Sequence, residues 1–407
     1  MLSLNKDKIK IVLLEGIDPN SVQFFNECGY RNVELIGKAL EGPDLAAVLK
    51  EAFILGIRSR TQLNLEILLQ APKLFAIGCY CIGTNQVALT DAASRGIPVF
   101  NAPHANTRSV AELVIGWTIM LMRRIFEKNH LAHEGKWKKT AFGSHEVRGK
   151  IMGIVGYGHI GSQVSVLAEA MGMQVIYYDI VGKLPLGNAR PAQSLEELLQ
   201  KSDIVTLHVP ESAQTKNLLD AERMELMKKG GCLINASRGT TVDLDALKQF
   251  LDRGHLAGAA LDVFPKEPEG EAVEFNSPLR GDPRVIITPH IGGSTEEAQS
   301  QIGSEVSRKL VQYSDWGSTE GAVNFPSLSL PKHQKTHRIL NIHKNAPGMI
   351  REINAAVAGE GINVQSQYLL TNMEIGYVVL DIEKAVSSRL KEKIQQLEGS
   401  IRTRILY

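Results

Sequence analysis

The sequence predicts an α/β protein. Two doubly wound, Rossmann-like parallel-sheet domains are followed by a smaller C-terminal domain of ferredoxin-like β-α-β-β-α-β type. Three observations carry this. Short β-branched runs alternate with longer helical patterns over most of the chain, as parallel sheets covered on both faces require. A glycine-rich turn, Gly156-Tyr-Gly158-His159-Ile160-Gly161, joins one such run to a helical pattern. Beyond a polar, proline-bearing linker from Asn324 to Pro331 the pattern changes.

In order, residues 10–15, 52–58, 74–79, 99–101, 151–155, 174–179, 204–208, 232–235, 257–263 and 285–288 read as buried strands. Helical patterns lie between them, at 44–53, 195–199 and 243–252. Ser109-x-x-Glu112 reads as a capping box opening a long apolar helix to about Phe126. That helix is apolar nearly all round, which predicts burial between domains. After the linker, 336–343, 362–370, 375–382 and 401–406 read as strands, with helices at 347–359 and 387–397. The expected division is a discontinuous first domain (1–105 and 296–331), a dinucleotide domain (106–295) and a C-terminal domain (332–407). A chain of 407 residues has room for two to three domains at roughly 150 residues each.

Composition narrows the function. Lys plus Arg is 45 and Asp plus Glu is 44, so the net charge is +1. That balance argues against a surface built for nucleic acid or an anionic membrane. Four cysteines with no C-x-x-C argue against a disulfide scaffold or zinc module, and no metal is expected. The longest apolar stretch, Leu113 to Met122, stops at Arg123. It falls short of the ~18 residues a spanning helix needs. A cytoplasmic protein is the expectation.

The glycine turn has the context a dinucleotide site needs. It follows a strand, opens a helix and leads to a second strand ending at Asp179, 18 positions after Gly161. Gly156 permits the tight turn, Gly158 the approach of backbone to a pyrophosphate, and Gly161 the packing of helix on strand. The helix N-terminus offers free N–H groups to the phosphates. Asp179 suits ribose hydroxyls and repels a 2′-phosphate, and Ile180 and Val181 supply no Arg to bind one. NAD is expected rather than NADP.

Three later segments sit at expected strand ends: Asn235-Ala236-Ser-Arg238-Gly239, Asp262-Val-Phe-Pro-Lys-Glu267-Pro268 and Thr288-Pro-His290-Ile-Gly292-Gly293. Together they offer a guanidinium, two carboxylates and an imidazole. Oxidation of a 2-hydroxy acid needs that set. A base takes the hydroxyl proton as hydride leaves. A carboxylate fixes the imidazole tautomer, and an Arg forks onto the substrate carboxylate. Asp262 reads two ways, as a nicotinamide contact or as the cap of a turn. Cations also gather at Arg58-Ser59-Arg60, at Asn106-Thr-Arg108 and at Lys136-Trp-Lys-Lys139. An Arg-Ser-Arg loop after a strand can hold a phosphate or a carboxylate.

These motifs, with Ile77-Gly-Cys-x-Cys-Ile-Gly-Thr-Asn-Gln86 and Tyr313-Ser-Asp315, resemble the D-specific 2-hydroxyacid dehydrogenase family, in the form that carries one C-terminal ACT domain. The resemblance covers essentially the whole chain. It implies Arg238 for the substrate carboxylate, Glu267 as orienter and His290 as acid and base. It implies cofactor contacts at Gly156, Gly158, His159, Ile160, Gly161, Asp179, His208, Pro210, Ala236 and Asp262. It implies substrate contacts at Arg58, Ser59, Arg60 and Asn106, with the Trp-Lys segment, including Lys139, reaching a neighbouring subunit's cleft. The implied reaction is oxidation of 3-phosphoglycerate to 3-phosphohydroxypyruvate with NAD, in serine biosynthesis. The implied assembly is a homotetramer.

The C-terminal segment resembles an ACT domain, which implies L-serine bound near His343, Asn345 and Asn363 and feedback inhibition. Lys344 and Ala346 replace the Glu and Arg usual in that motif. Two other readings stay open. One is another 2-hydroxyacid dehydrogenase, acting on the 2-hydroxyglutarate and 2-oxoglutarate pair. The other is a dinucleotide-sensing, co-repressor-like binding protein, against which the ferredoxin-like tail argues.

Overall fold

The computed structural model describes residues 5–268, 273–332, 336–383 and 387–406. Tyr407, at the end of the resembling segment, lies outside them. The chain divides into two compact units, 1–105 with 299–407, and 106–298.

The first unit holds two sheets. One is fully parallel and ordered β2-β1-β3-β4-β5: β1 (Ile11–Leu13), β2 (Val33–Leu35), β3 (Ile54–Ile57), β4 (Ala76–Cys79) and β5 (Val99–Asn101). All but the edge strand β2 are buried along their length, so they read as unbroken apolar runs. The chain runs outward from β1 to β2, then returns to β3, so its direction across the sheet reverses between β1 and β3. β1 is shorter than expected, and Glu15 lies beyond it with a left-handed backbone, φ 63°, that a pleated strand cannot include.

The second sheet of this unit is antiparallel, ordered β14-β15-β13-β16: β13 (His337–Lys344), β14 (Val364–Thr371), β15 (Ile375–Ile382) and β16 (Ser400–Leu406). Helices Met349–Gly359 and Ser387–Gln395 complete the β-α-β-β-α-β order. This sheet does not stand apart. Leu340, Ile342, Tyr377 and Leu406 share one apolar cluster with Phe75, Phe100 and Tyr313. Arg338, which is fully buried, forks onto Asp381 at 2.7 and 2.8 Å and donates to the carbonyls of Trp316 and Pro331.

The second unit is a seven-stranded parallel sheet ordered β12-β11-β10-β9-β6-β7-β8. Its strands are β6 (Ile151–Val155), β7 (Gln174–Tyr178), β8 (Arg190–Pro191), β9 (Ile204–Leu207), β10 (Gly231–Asn235), β11 (Leu256–Leu261) and β12 (Val285–Ile287). The order reverses between β6 and β9. Open α/β sheets bind ligands outside the carboxyl ends of their strands at such a point.

The long apolar helix departs from expectation. It spans Thr107–Arg123, with Asn106 at its N-cap and no side-chain cap. Ser109 lies inside the first turn and bonds Thr295 instead, at 2.8 Å. Glu112 pairs with Arg108. The capping box does not form because the helix begins two residues before it. Arg124 then turns left-handed, φ 52°, and a second helix runs Ile125–His133. The first helix buries one face, including Val110, Val114, Trp117 and Leu121, while Leu113, Ile115, Ile119 and Met120 are half-buried.

Candidate active site

The glycine turn leaves β6 at the reversal of the second sheet. Gly156 has φ 91°, and a Cβ there would stand 2.4 Å from the carbonyl oxygen of His208 at the end of β9. A Cβ on Gly161 would meet the Gly156 carbonyl at 2.1 Å. Both glycines are therefore required by the chain's own packing. Gly158 differs, because a Cβ there meets nothing within 4 Å. It is the N-cap of the helix His159–Ala170, so open space lies where backbone would receive a pyrophosphate. This cradle fits a dinucleotide. His159 and Ile160 form the first turn of that helix.

Asp179 stands just past β7. Its Oδ2 accepts from the backbone N–H of Tyr157 at 2.8 Å and its Oδ1 from that of Val181 at 2.9 Å. The carboxylate thus ties the glycine turn to the neighbouring strand end. Each oxygen keeps a second lone pair for a ribose hydroxyl. Ile180, 92% exposed, follows it and carries no charge for a 2′-phosphate.

His208 donates to or accepts from Thr206 Oγ1 at 3.0 Å through Nε2, while its buried Nδ1 has no partner. Burial pushes its pKa down to about 3, so the ring is neutral. Pro210 is exposed, and its carbonyl accepts from Thr215 at 2.7 Å.

The three candidate segments converge on the carboxyl ends of β10, β11 and β12. After β10, Asn235 is buried and holds the turn: its Nδ2 donates to the Arg238 carbonyl and its Oδ1 accepts from Ser237. Ala236 is half-buried within this turn. Gly239 lies so close to the next loop that a Cβ would meet the Phe264 carbonyl carbon at 2.0 Å. That contact brings Arg238 beside Glu267.

After β12, His290 adopts φ 54°, a strained conformation for a residue with a Cβ. Asp262, 2% exposed, holds it there. The Asp262 carbonyl accepts from His290 N–H at 2.9 Å. Its carboxylate accepts from Thr288 Oγ1 at 2.6 Å, Ile291 N–H at 2.8 Å and Gly292 N–H at 2.7 Å. Asp262 thereby caps a turn, one of its two readings.

His290 Nδ1 lies 2.8 Å from Glu267 Oε2, and Glu267 Oε1 accepts from Phe264 N–H at 3.1 Å. The hydrogen bond to Glu267 raises the His290 pKa above the usual imidazole value. Burial opposes this, and the Glu267 and Asp262 charges add to it. Burial pushes the Glu267 carboxyl up, but the His290 hydrogen bond and charge, the Phe264 amide and the Arg238 charge outweigh it, and the net shift is down. Both side chains are partly open, at 55% and 36% exposure. With Nδ1–H donating to the carboxylate, Nε2 is the ring atom left to exchange a proton.

Other anticipated residues lie elsewhere. Asn106 is buried in the second unit against Gly293, where a Cβ would come 2.4 Å from its Nδ2. Arg58, Ser59 and Arg60 follow β3 in the first unit, with Ser59 and Arg60 exposed. Lys139 and Trp137 lie on an exposed irregular segment of the second unit. In the antiparallel sheet, His343 is buried, its Nδ1 3.0 Å from Asn341 Oδ1. Asn345 donates to the Asn372 carbonyl at 2.7 Å. Asn363 is exposed beside β14. Sequence reasoning missed the holding roles of Asn235, Thr288 and Gly239. Gly239, directly after the candidate Arg, was the one local sign of a tight backbone approach.

A reversed parallel sheet with this cradle, and with Arg, Glu and His at neighbouring strand ends, defines an NAD-dependent 2-hydroxyacid dehydrogenase. The chain belongs to the D-isomer specific 2-hydroxyacid dehydrogenase family. The profile of that family's NAD-binding domain matches residues 115–292, and that of an AHAS small subunit-like ACT domain matches residues 339–402. The chain is 54% identical over 406 residues to D-3-phosphoglycerate dehydrogenase of Haemophilus influenzae, covering 100% of this chain and 99% of that one. It is 52% identical over 408 residues to the Escherichia coli K12 protein of the same name, with the same coverage. Among solved structures, D-2-hydroxyisocaproate dehydrogenase matches with TM-score 0.71 at 25% identity, over 78% of this chain and 100% of that one. D-lactate dehydrogenase from Aquifex aeolicus, solved with NAD and lactic acid, matches with TM-score 0.66 at 26% identity and the same coverage.

Proposed function

We propose that this chain oxidises D-3-phosphoglycerate to 3-phosphohydroxypyruvate, the entry to phosphorylated serine biosynthesis. The observation that carries the chemistry is the His290–Glu267 pair, held at 2.8 Å on a strained turn beside Arg238. The full-length relatives named D-3-phosphoglycerate dehydrogenase support the substrate.

Bound NAD supplies the hydride acceptor. His290 Nε2 takes the proton of the substrate hydroxyl. Glu267 holds the ring in the productive tautomer and steadies the imidazolium. Arg238 forks onto the carboxylate and turns the reacting carbon toward the cofactor cradle. Gly158 and the first turn of the helix it caps receive the pyrophosphate, Gly156 and Gly161 shape the turn that presents them, and Asp179 takes the ribose. Arg58, Ser59 and Arg60 take the distal phosphate.

The same reading includes L-serine as an inhibitor bound near His343, Asn345 and Asn363, a homotetramer and a cytoplasmic location. Among the described residues no helix is long and apolar enough to cross a membrane. The test is NADH formation with 3-phosphoglycerate, D-lactate and D-2-hydroxyglutarate at matched concentrations. The expected result is a kcat/KM highest for 3-phosphoglycerate. A higher value for D-2-hydroxyglutarate would move the assignment to the dicarboxylic acid.

A further inference from the structure

We propose that Glu15 is a positioning residue that sets the Arg58-Ser59-Arg60 loop for the distal anionic group of the substrate. The inference rests on reading that loop as the phosphate contact.

Glu15 follows β1 and the loop follows β3. These are the strands between which the first sheet reverses direction. Such a reversal is where open α/β sheets hold ligands, so the loop and Glu15 share the favoured place on this sheet.

Glu15 adopts φ 63°, in the left-handed region that a side chain with a Cβ disfavours. Chain packing does not demand a Cβ there. The neighbouring Gly16 shares the same turn at φ 62° with no side chain at all. What the strained residue gains is its carboxylate. Oε1 accepts from Thr61 N–H at 2.9 Å and Oε2 from Arg60 N–H at 3.0 Å. A carboxylate beside two arginines would ordinarily pair with a guanidinium. Here both oxygens go to backbone, while the Ser59 and Arg60 side chains are exposed.

The other end of the loop is gripped as well. Gln86, buried, donates to the Arg58 carbonyl, as does the Cys81 thiol at 3.6 Å. A four-residue segment carrying two cations is therefore fixed by side chains 28 and 45 positions away. Charge-assisted bonds to backbone amides are among the stronger neutral-to-ion contacts. They hold the loop's register without consuming its guanidinium donors.

The test uses the full chain with 3-phosphoglycerate and with D-glycerate, which lacks the phosphate. Glu15→Gly suits the left-handed backbone and removes the whole side chain, carboxylate included. Glu15→Gln keeps one acceptor for one of the two amides. We expect the ratio of kcat/KM for 3-phosphoglycerate to that for D-glycerate to fall about tenfold in Glu15→Gly and less in Glu15→Gln, mainly through KM, with NADH binding by fluorescence titration retained. An unchanged ratio in both variants would overturn the proposal, as would an equal loss on both substrates, which marks a merely structural role. If the wild-type chain shows no preference for the phosphorylated acid, the phosphate reading of the loop fails, and this inference with it. Arg60→Ala separates the two readings: loss of the preference there, with none in the Glu15 variants, rejects Glu15 alone.

Discussion

At the scale of single residues, the proposed chemistry gives one imidazole two jobs that oppose each other in pH. Oxidation of the hydroxy acid needs His290 unprotonated, and reduction of the keto acid needs it protonated. Its pKa lies above the usual imidazole value, chiefly through the hydrogen bond to Glu267. Oxidative kcat/KM should therefore fall as pH drops through that raised pKa, and reductive kcat/KM should fall as pH rises through it. Glu267→Gln removes the charge that favours the imidazolium, so both inflections should move to lower pH. A pH profile identical to wild type would show that the pair does not couple. His290→Ala should lower kcat by about two to four orders of magnitude while NADH fluorescence titration still reports binding, because the ring lies outside the phosphate cradle. In the same proposal Asp179 acts on the other partner. Asp179→Ala removes the repulsion of a 2′-phosphate without adding a cation, so kcat/KM values with NAD and NADP should converge. That change also deletes the two backbone bonds to Tyr157 and Val181, so some affinity for NAD should be lost as well.

At the scale of elements, function is placed by strand ends and by glycines that permit close backbone approach. β6 and β9 flank the reversal of the larger sheet, and the turn after β6 packs against the His208 carbonyl. Gly161→Ala would press a Cβ into the Gly156 carbonyl at 2.1 Å. Backbone cannot move as a flexible side chain does, so the helix His159–Ala170 must shift from β6. The expected outcome is loss of about 1–3 kcal/mol of stability, read by chemical denaturation, with NADH binding weakened beyond that. Retention of full NADH affinity would mean that the cradle tolerates the shift. β10, β11 and β12 do the same work for the proposed catalytic set, and the loops after β10 and β12 have their backbone held by buried polar side chains. Asn235 and Asp262 play that part, and neither needs to touch a substrate to matter.

At the scale of the whole molecule, the antiparallel sheet shares its core with the first parallel sheet. Tyr377 donates to the Gly317 carbonyl at 2.6 Å, and Arg402 to that of Leu74 at 2.6 Å. The fully buried Arg338 is balanced by Asp381. Asp381→Ala leaves that guanidinium uncompensated, and should cost about 3–5 kcal/mol in denaturation. A shift under 1 kcal/mol would mean that water replaces the carboxylate. Removing residues 332–407 would expose Phe75, Tyr313 and Phe100, so truncation would confound regulation with stability. A point change tests the serine reading more cleanly. L-serine is expected to inhibit the full chain, and Asn345→Ala to relieve it. No heat on calorimetric titration and no inhibition at millimolar serine would reduce this sheet to a packing module.

Much of this was legible along the chain because its determinants are local. The turn Gly156 to Gly161 shows its strand, its helix and its acid within one short stretch. The order β-α-β-β-α-β at the C-terminus shows in alternation alone. Arg238, Glu267 and His290 were each visible as residue types at strand ends. What the sequence could not show depends on groups distant in the chain. The helix Thr107–Arg123 begins two residues before its apparent capping box, and Ser109 instead bonds Thr295, 186 positions away. Asp262 settles as a clamp because three donors from beyond β12 reach it. The C-terminal sheet joins the first unit because its apolar residues meet Phe75 and Tyr313, a match of surfaces that no local pattern encodes. Periodicity and turn chemistry determined the elements and the chemical inventory. Packing between distant segments decided which of those groups hold one another still.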